Sequence, residues 1–446
     1  MLDGRENIVK YFIDNYGAKP DGSLCTKAIQ NAIDNCFLNG GGEVVVPGGI
    51  WCSGGLRLRS NVTLHLMEGA TLIGSLDPED YFAYLDDAIE PISEEEREGT
   101  VSTVMPQAMG KKSVKPYSRW NNAIIRAINA KNIAIIGEKN SFIDGQNCYD
   151  ELGEEGYRGP HGINMWHCEN VTLQGYTLRN SGNWAHAIQN SQKITAENIT
   201  VLGGHDGFDI RTCDEVVVEN CMFHTGDDAI AGFDNINVKV RNSILNSSCS
   251  ALRFGGSNVL VENCTTTAPN KYGFRGSLTQ EQKMARAKTD ENCRHNCLNA
   301  FLYYCDYRAK IRKTPGDILI KNCRFNNVDS VFSQPFGVRW SCNRALDNIT
   351  FEDCVFEGLC MPINITCPEN EPLTFKMKNC KLSSRNGFGD EPVAEALNFR
   401  DIIFENVDIS GYASPKIVYC SAGNIDINDS TPIVLEKGEK TSRDGQ

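Results

Sequence analysis

Asparagine recurs in this chain at a spacing that few folds tolerate. Asn220, Asn242 and Asn263 stand 22 and 21 residues apart, each closing a short β-branched run, and Asn322, Asp353 and Asn379 keep the same phase after longer gaps. Cysteine follows directly at 221, 264, 323, 354 and 380. The runs themselves, Val216 to Cys221, Val238 to Asn242, Val259 to Cys264, Ile318 to Cys323, Ile349 to Cys354, Phe375 to Cys380 and Ile402 to Val407, have the length and composition of strands. Earlier runs at Asn132 to Gly137, Asn170 to Gly175 and Ile194 to Val201 have the same character. A repeat of about 21–24 residues built from short strands and Asn or Gly turns predicts a single-stranded, right-handed parallel β-helix. Successive coils then stack about 4.8 Å apart, and residues of equal phase form ladders. A leucine-rich repeat has a similar period, but its leucine and asparagine signature is absent.

The start of the chain fits an end cap. Residues 8–16 read as a short strand, and Tyr16 to Gly22 as a turn rich in Gly, Pro and Asp. Over residues 26–38 one apolar stripe (Ala28, Ile29, Ala32, Ile33, Cys36, Phe37) predicts an amphipathic helix, ended by Gly40-Gly-Gly42. Strands follow at 43–47, 56–59 and 61–66. The reading is one all-β domain over 1–435 with an N-terminal cap over about 1–60, loop insertions over about 77–119 and 277–313, and a frayed polar tail over 436–446. Within the second insertion, Leu278 to Ala300 reads as charged helix.

A net charge of −13 excludes nucleic acid and anionic membrane as expected partners. Local basic residues can still attract an acidic substrate. No segment has the apolar core of a leader or the length to span a bilayer. The 19 cysteines, an odd number, read as reduced thiols, so a cytoplasmic location is expected. Most fit the inward stack of a solenoid as small buried groups. Cys293-Arg-His-Asn-Cys297 is the nearest approach to a zinc pattern, but a second ligand pair is missing.

Three carboxylates stand out, Asp206 in His-Asp-Gly-Phe-Asp and Asp227 and Asp228 in Gly-Asp-Asp. Asp206 and Asp227 are 21 residues apart, one coil, so they are expected on neighbouring coils of one face. Inverting glycoside hydrolysis requires an acid and a base carboxylate about 6.5–9.5 Å apart, with a water between base and sugar. Crowding of like charges also keeps one acid of such a cluster protonated. Asp-Gly turns without chemistry and a calcium site are the alternative uses. Neither a metal nor a cofactor is expected.

Around these residues the chain resembles glycoside hydrolase family 28, the polygalacturonases. The resemblance runs from about residue 14 to 276. It is carried by Asn15 to Gly22, Thr26 to Ile33, Gly40 to Pro47, Leu64 to Gly74, Phe142 to Gly145, Leu178 to Trp184, Gly204 to Gly207 and Gly226 to Asp228. It implies a pectate-lyase-like solenoid and an inverting hydrolase, with Asp227 as general acid and Asp206 and Asp228 activating water. Two departures matter. The family's Gly-His-Gly aligns with Cys249-Ser-Ala251, so Ser250 stands for the histidine. Its Arg-Ile-Lys aligns with Arg275-Gly-Ser277, which keeps the arginine and loses the lysine.

In the family these basic groups hold the sugar carboxylate. Arg275 alone can clamp a carboxylate through two bonds, and Arg253 or Arg211 are candidates for the missing charge. His205 and His224 are candidates for the missing histidine, or hydrogen-bonded bend residues. Trp184 is a candidate sugar-stacking group or a buried aromatic. The implied substrate is an oligosaccharide derived from pectin, a galacturonide, with the insertions closing the cleft for attack from a chain end. The rivals are a less acidic sugar, a non-catalytic carbohydrate-binding β-helix, and a lyase using calcium and a basic residue. The sequence assigns no oligomeric state.

Overall fold

A computed structural model describes residues 8–81, 119–288, 292–305, 311–334, 344–421 and 423–438. The first insertion therefore lies, from 82 to 118, outside the described residues. The strands are parallel and return to the same positions every coil. Contacts divide the chain into two compact units, residues 1–208 with 275–292, and 209–274 with 293–446.

In the first unit three ladders of strands run side by side. One joins Val62–Leu66, Lys131–Gly137, Glu169–Gln174 and Gln192–Glu197. A second joins Leu56–Leu58, Ala123–Ile128, His161–Trp166 and His186–Gln189. The third joins Gly49–Ser53, Ala70–Gly74, Phe142–Asp144, Thr177–Arg179 and Thr200–Gly203. Ile163 pairs with His186 and Thr177 with Thr200, each 23 residues on. The expected solenoid is thus present: each coil gives one strand to each ladder, and inward residues such as Val171, Leu173, Ile194 and Ala196 fill the core. Parallel strands joined this way cross over right-handedly in nearly all proteins.

The helix Thr26–Leu38 closes the open edge of this unit. Ile29, Ala32, Ile33 and Cys36 are buried beneath it, while Ala28 and Phe37 are half-buried. Its Gln30 side chain imitates a neighbouring strand. Nε2 donates to Arg57 O at 3.0 Å, and Arg57 N–H donates to Gln30 Oε1 at 2.8 Å. Unpaired backbone at a sheet edge invites association, and the helix satisfies it internally. Gly41 ends the helix with φ +108°, where a Cβ would lie 2.3 Å from Asn61 O.

The second unit repeats the plan over longer loops. Asp214–Glu219, the C-terminal half of Ile230–Arg241, that of Ser250–Glu262, Gly316–Lys321, Asn348–Glu352, Thr374–Lys378, Asp401–Glu405 and Asn424–Asn428 form one ladder. At its corner Asn220, Asn242, Asn263, Asn322, Asp353 and Asn379 all have φ between +49° and +55°. Asn and Asp reach that left-handed conformation more cheaply than other side chains. Their amides then bridge coils: Asn263 Nδ2 donates to Asn242 Oδ1 at 3.1 Å and Asn322 Nδ2 to Asn263 Oδ1 at 2.6 Å.

The thiols that follow are buried, and each of Cys221, Cys264, Cys323, Cys354 and Cys380 donates to the carbonyl two residues before it, at 3.1–3.3 Å. Hydrogen bonding between neighbouring thiols pushes Cys323 and Cys354 up to about 12. Among the described residues every cysteine is a free thiol.

The second insertion differs from its sequence reading. Among the described residues helix is confined to a turn at Arg275–Ser277 and to Gln280–Met284, opened by a capping box between Thr279 and Gln282. Cys297–Tyr303, read as the end of a helix, is a strand paired with Ser250–Glu262. Its alternation is broken at Leu298 and Asn299, and the charged residues before it mask the change of period. Val434–Lys437 likewise forms a strand with Lys416–Tyr419, so the two first residues of the expected tail are paired.

Replacing Asn263 tests the corner. Asn263→Gly keeps the backbone conformation and loses only the amide bonds. Asn263→Ala loses both and is expected to lower unfolding free energy by about 1–3 kcal/mol more in urea titrations.

Candidate active site

The acid pair lies in the second unit, in the turn between Met222–Thr225 and Ile230–Arg241. The turn is fixed through the Asp227 carbonyl, which accepts from Thr225 Oγ1 at 2.8 Å and Ser247 Oγ at 2.6 Å. Asp227 is half-buried and Asp228 is 2 % exposed. Asp228 Oδ1 accepts the Ser250 N–H at 3.1 Å, and Oδ2 accepts from Arg253 Nε. Ser250 therefore serves this carboxylate through its backbone, and its buried hydroxyl has no hydrogen-bond partner among the described residues.

Arg253 reaches a second carboxylate, Asp209, whose Oδ2 lies 3.6 Å from Nη2. Asp209 also takes two bonds from Arg211, at 2.7 and 3.1 Å. Strand alternation puts Asp209 and Arg211 on one side of Phe208–Arg211, and both are buried. The Arg253 guanidinium lies over the Tyr304 ring, 4.6 Å from its centre. Gly232 allows this coil to pass: a Cβ there would meet Ile210 O at 1.7 Å.

Asp227, Asp228 and Cys249 bring one ligand atom each within 4.8 Å of one another, a group with the donor types for a cation. A cation there would compete with Arg253 for Asp228. His295, from the Cys293–Cys297 segment, bonds instead to Asn270 O through Nδ1 at 2.9 Å. His224 is half-buried and bonded to Asn270 Oδ1 at 3.2 Å, the bend role.

The first unit holds Asp206, His205, Arg275 and Trp184. Asp206 is buried, and its carbonyl accepts the Ala185 N–H at 2.9 Å. Trp184 is 4 % exposed, edge-on to Trp120 at 4.8 Å and tilted on His161 at 5.6 Å, so it is the buried aromatic of the two alternatives. Arg275 is 1 % exposed. Its Nη1 donates to Asn147 Oδ1 at 2.9 Å, while Nε has no hydrogen-bond partner among the described residues. Gly204 makes room for it, since a Cβ would lie 2.1 Å from Arg275 Cγ. Burial pushes Arg275 down to about 10.

Two further cations surround the same ring, Tyr157. Lys283 Nζ lies 4.3 Å from its centre, Arg158 Cζ 5.8 Å and Arg275 Cζ 6.0 Å. His205 stacks on it at 6.0 Å. Burial, followed by the charges of Arg158, Arg275, His161 and Lys283, drives His205 well below the usual histidine range. It is a neutral imidazole, and neither ring nitrogen has a hydrogen-bond partner among the described residues. Arg158 is paired with Glu155 at 3.0 Å and lies 3.9 Å from Glu154. Three cations therefore meet at one ring, beside Arg275 Nε and the His205 nitrogens, which have no hydrogen-bond partner among the described residues. Such a place suits an oxyanion with hydroxyls.

Asp209, Arg158, Tyr157 and Lys283 were not singled out in the sequence. Asp209 had a signal, the alternating Asp-Ile-Arg that closes the His-Asp-Gly-Phe-Asp motif. Lys283 had none, because its neighbours come from residues 157–158.

Burial also makes these histidines acid-sensitive. His186, bonded to Gly207 O and Tyr176, is pushed down to about 4. Unfolded histidines take up protons near pH 6.5 while His186 and His205 in the native state do not. The unfolded state then binds more protons, so stability is present above about pH 6.5 and is lost as pH falls below it. Urea titrations at pH 7 and 5 are expected to show this loss, and His205→Gln to show a smaller pH difference.

With this geometry in hand, comparison with known proteins is informative. Residues 99–252 match the family described as glycosyl hydrolases family 28. An exo-poly-alpha-D-galacturonosidase of Dickeya chrysanthemi is 26 % identical over 254 residues, 49 % of this chain and 41 % of the relative. A probable polygalacturonase of Vitis vinifera is 27 % identical over 241 residues, 50 % of this chain and 45 % of the relative. The match thus spans less than half the length of either curated relative. The Yersinia enterocolitica family 28 exopolygalacturonase structure superposes with a TM-score of 0.61 at 19 % identity, over 95 % of this chain and 79 % of that one. That likeness establishes the right-handed parallel β-helix fold.

Proposed function

We propose, for a chain whose residues 99–252 carry the glycosyl hydrolases family 28 region and which is polygalacturonase-like, the hydrolysis of glycosidic bonds in galacturonide oligosaccharides. The observation that carries the substrate class is the positive cluster around Tyr157. A chain of net charge −13 keeps Arg158, Arg275 and Lys283 together at one ring, beside a neutral, unpartnered His205. The cations answer a carboxylate, and the imidazole answers a hydroxyl as donor and acceptor. Lys283 supplies a positive charge that Ser277, exposed at the aligned position, does not.

The chemistry follows from the acid pair. Asp227, the more exposed member, donates a proton to the oxygen of the leaving sugar as its bond to the anomeric carbon breaks. A water oxygen attacks that carbon from the opposite side, and its proton passes to Asp228. Inversion is the outcome of this single displacement. Attack from a chain end is the reading favoured by the names of the Dickeya and Yersinia relatives, both exo-acting.

Defined galacturonides and the matching neutral galactosides, assayed for reducing sugar with NMR of the first anomer formed, test this reading. Galacturonides are expected to be cleaved with inversion and to release units from one end. Asp227→Asn should lower kcat by about a hundredfold or more, within the usual range for losing a general acid. Lys283→Gln should raise KM for galacturonides by about tenfold, as for one charged hydrogen bond, and leave neutral sugars unchanged. Equal activity in Asp227→Asn removes the proposed acid. Faster cleavage of neutral sugars removes the substrate class, and binding without cleavage removes hydrolysis.

A further inference from the structure

Arg253 was a candidate for holding the substrate's carboxylate, but its surroundings give it another task. Its Nε bonds to Asp228, its Nη2 approaches Asp209 at 3.6 Å, and Asp209 holds Arg211 through two bonds. Arg211, Asp209, Arg253 and Asp228 thus form a row of alternating charge within the second unit. Within the row each carboxylate faces a guanidinium. A sugar carboxylate approaching Arg253 would meet two carboxylates already there, and like charges resist crowding in a buried place. The plane of the guanidinium is also fixed, because Tyr304 lies beneath it.

We propose that Arg253 is a positioning residue for Asp228, itself held in place by Asp209 and Arg211, and that it does not bind the substrate. The function assigned to Asp228 rests on the hydrolytic reading above. Asp228 has one oxygen on the Ser250 N–H and the other on Arg253, which fixes the direction of both oxygens. Without Asp209, the guanidinium groups of Arg253 and Arg211 would lose the anion between them and the first would be free to turn away. Where the family resemblance leads to a histidine, Ser250 gives only its backbone N–H. The cation on this carboxylate comes three residues later on the same strand, Ser250–Glu262.

The test compares the wild-type chain with Arg253→Gln, Arg253→Lys, Asp209→Asn and the double variant Asp209→Asn with Arg253→Gln. Trigalacturonide hydrolysis and thermal unfolding are both measured. A misaligned catalytic group costs about a hundredfold in rate, so Arg253→Gln should lower kcat by about that factor with KM within about threefold. Arg253→Lys should recover about tenfold of it, because one cation still reaches Asp228. Asp209→Asn should lower kcat in the same direction, and the double variant should be no worse than Arg253→Gln, since the two act through one contact. A raised KM with kcat retained in Arg253→Gln makes it a substrate clamp and overturns the proposal, as do multiplicative losses in the double variant. If glutamine at 253 prevents folding, Arg253→Lys and Asp209→Asn carry the same kcat-against-KM comparison. If the wild type cleaves no glycoside, the hydrolytic reading fails, and unfolding decides the row separately. Losses in Tm that are less than additive sustain it, and additive losses overturn it.

Discussion

Parallel pairing between successive coils, held in phase by a left-handed corner, is the constraint on which the rest of this structure depends. The corner needs positive φ, which Asn and Asp adopt at least cost among residues with side chains. The same amides then reach across to the next coil, so a residue chosen for its backbone also ties the stack. Once the phase is locked, every residue acquires a neighbour about one repeat away. Phe325 and Phe356 lie flat on each other at 5.0 Å for this reason, and the buried thiols line up behind the corner. Neither ladder needs a function beyond the fold.

Locked phase also decides what charged side chains can do. In the second unit, strand alternation delivers Asp209 and Arg211 to one face, and the next coils bring Asp228 and Arg253. Alternating charges at that distance satisfy one another, and the result is rigidity with little attraction left for a ligand. In the first unit, cations at 158, 275 and 283 converge on the Tyr157 ring, the last two from a turn and a short helix. Burial, and to a smaller extent repulsion among these cations, lowers Arg275 and Lys283.

Much of this was legible from residue types alone. The helix Thr26–Leu38 and the Asn corner follow from periodicity, because both are local or strictly repeated. The strand Cys297–Tyr303 was hidden by its charged approach, where Thr279 and Gln282 do start a helix that ends after five residues. The acid turn could be picked out because Gly-Asp-Asp is compact in sequence. Arg253 could be named only as a source of charge, since its partners, Asp228 and Asp209, depend on the register between Ile230–Arg241 and Ser250–Glu262. Lys283 was hidden for the same reason, being 126 residues from the ring it covers. Trp184 was left open in the sequence between a sugar-stacking group and a buried aromatic, and its neighbours Trp120 and His161 enclose it.

The two departures from the family pattern then take on a physical sense. A motif records where a charge enters the chain, while a site needs only that a charge be present at a place. A solenoid separates these more readily than other folds, because residues far apart in sequence converge on one spot and a loop between coils can lengthen without disturbing the stack. A histidine replaced by Ser250 costs its carboxylate nothing if Arg253 is bonded to Asp228 from further along the strand. A lysine replaced by Ser277 leaves no deficit if the following helix turns Lys283 back over Tyr157. The substitutions at 250 and 277 therefore argue for a loss of chemistry less strongly than their alignment suggests, and the decisive quantity is the local sum of charge around each buried group.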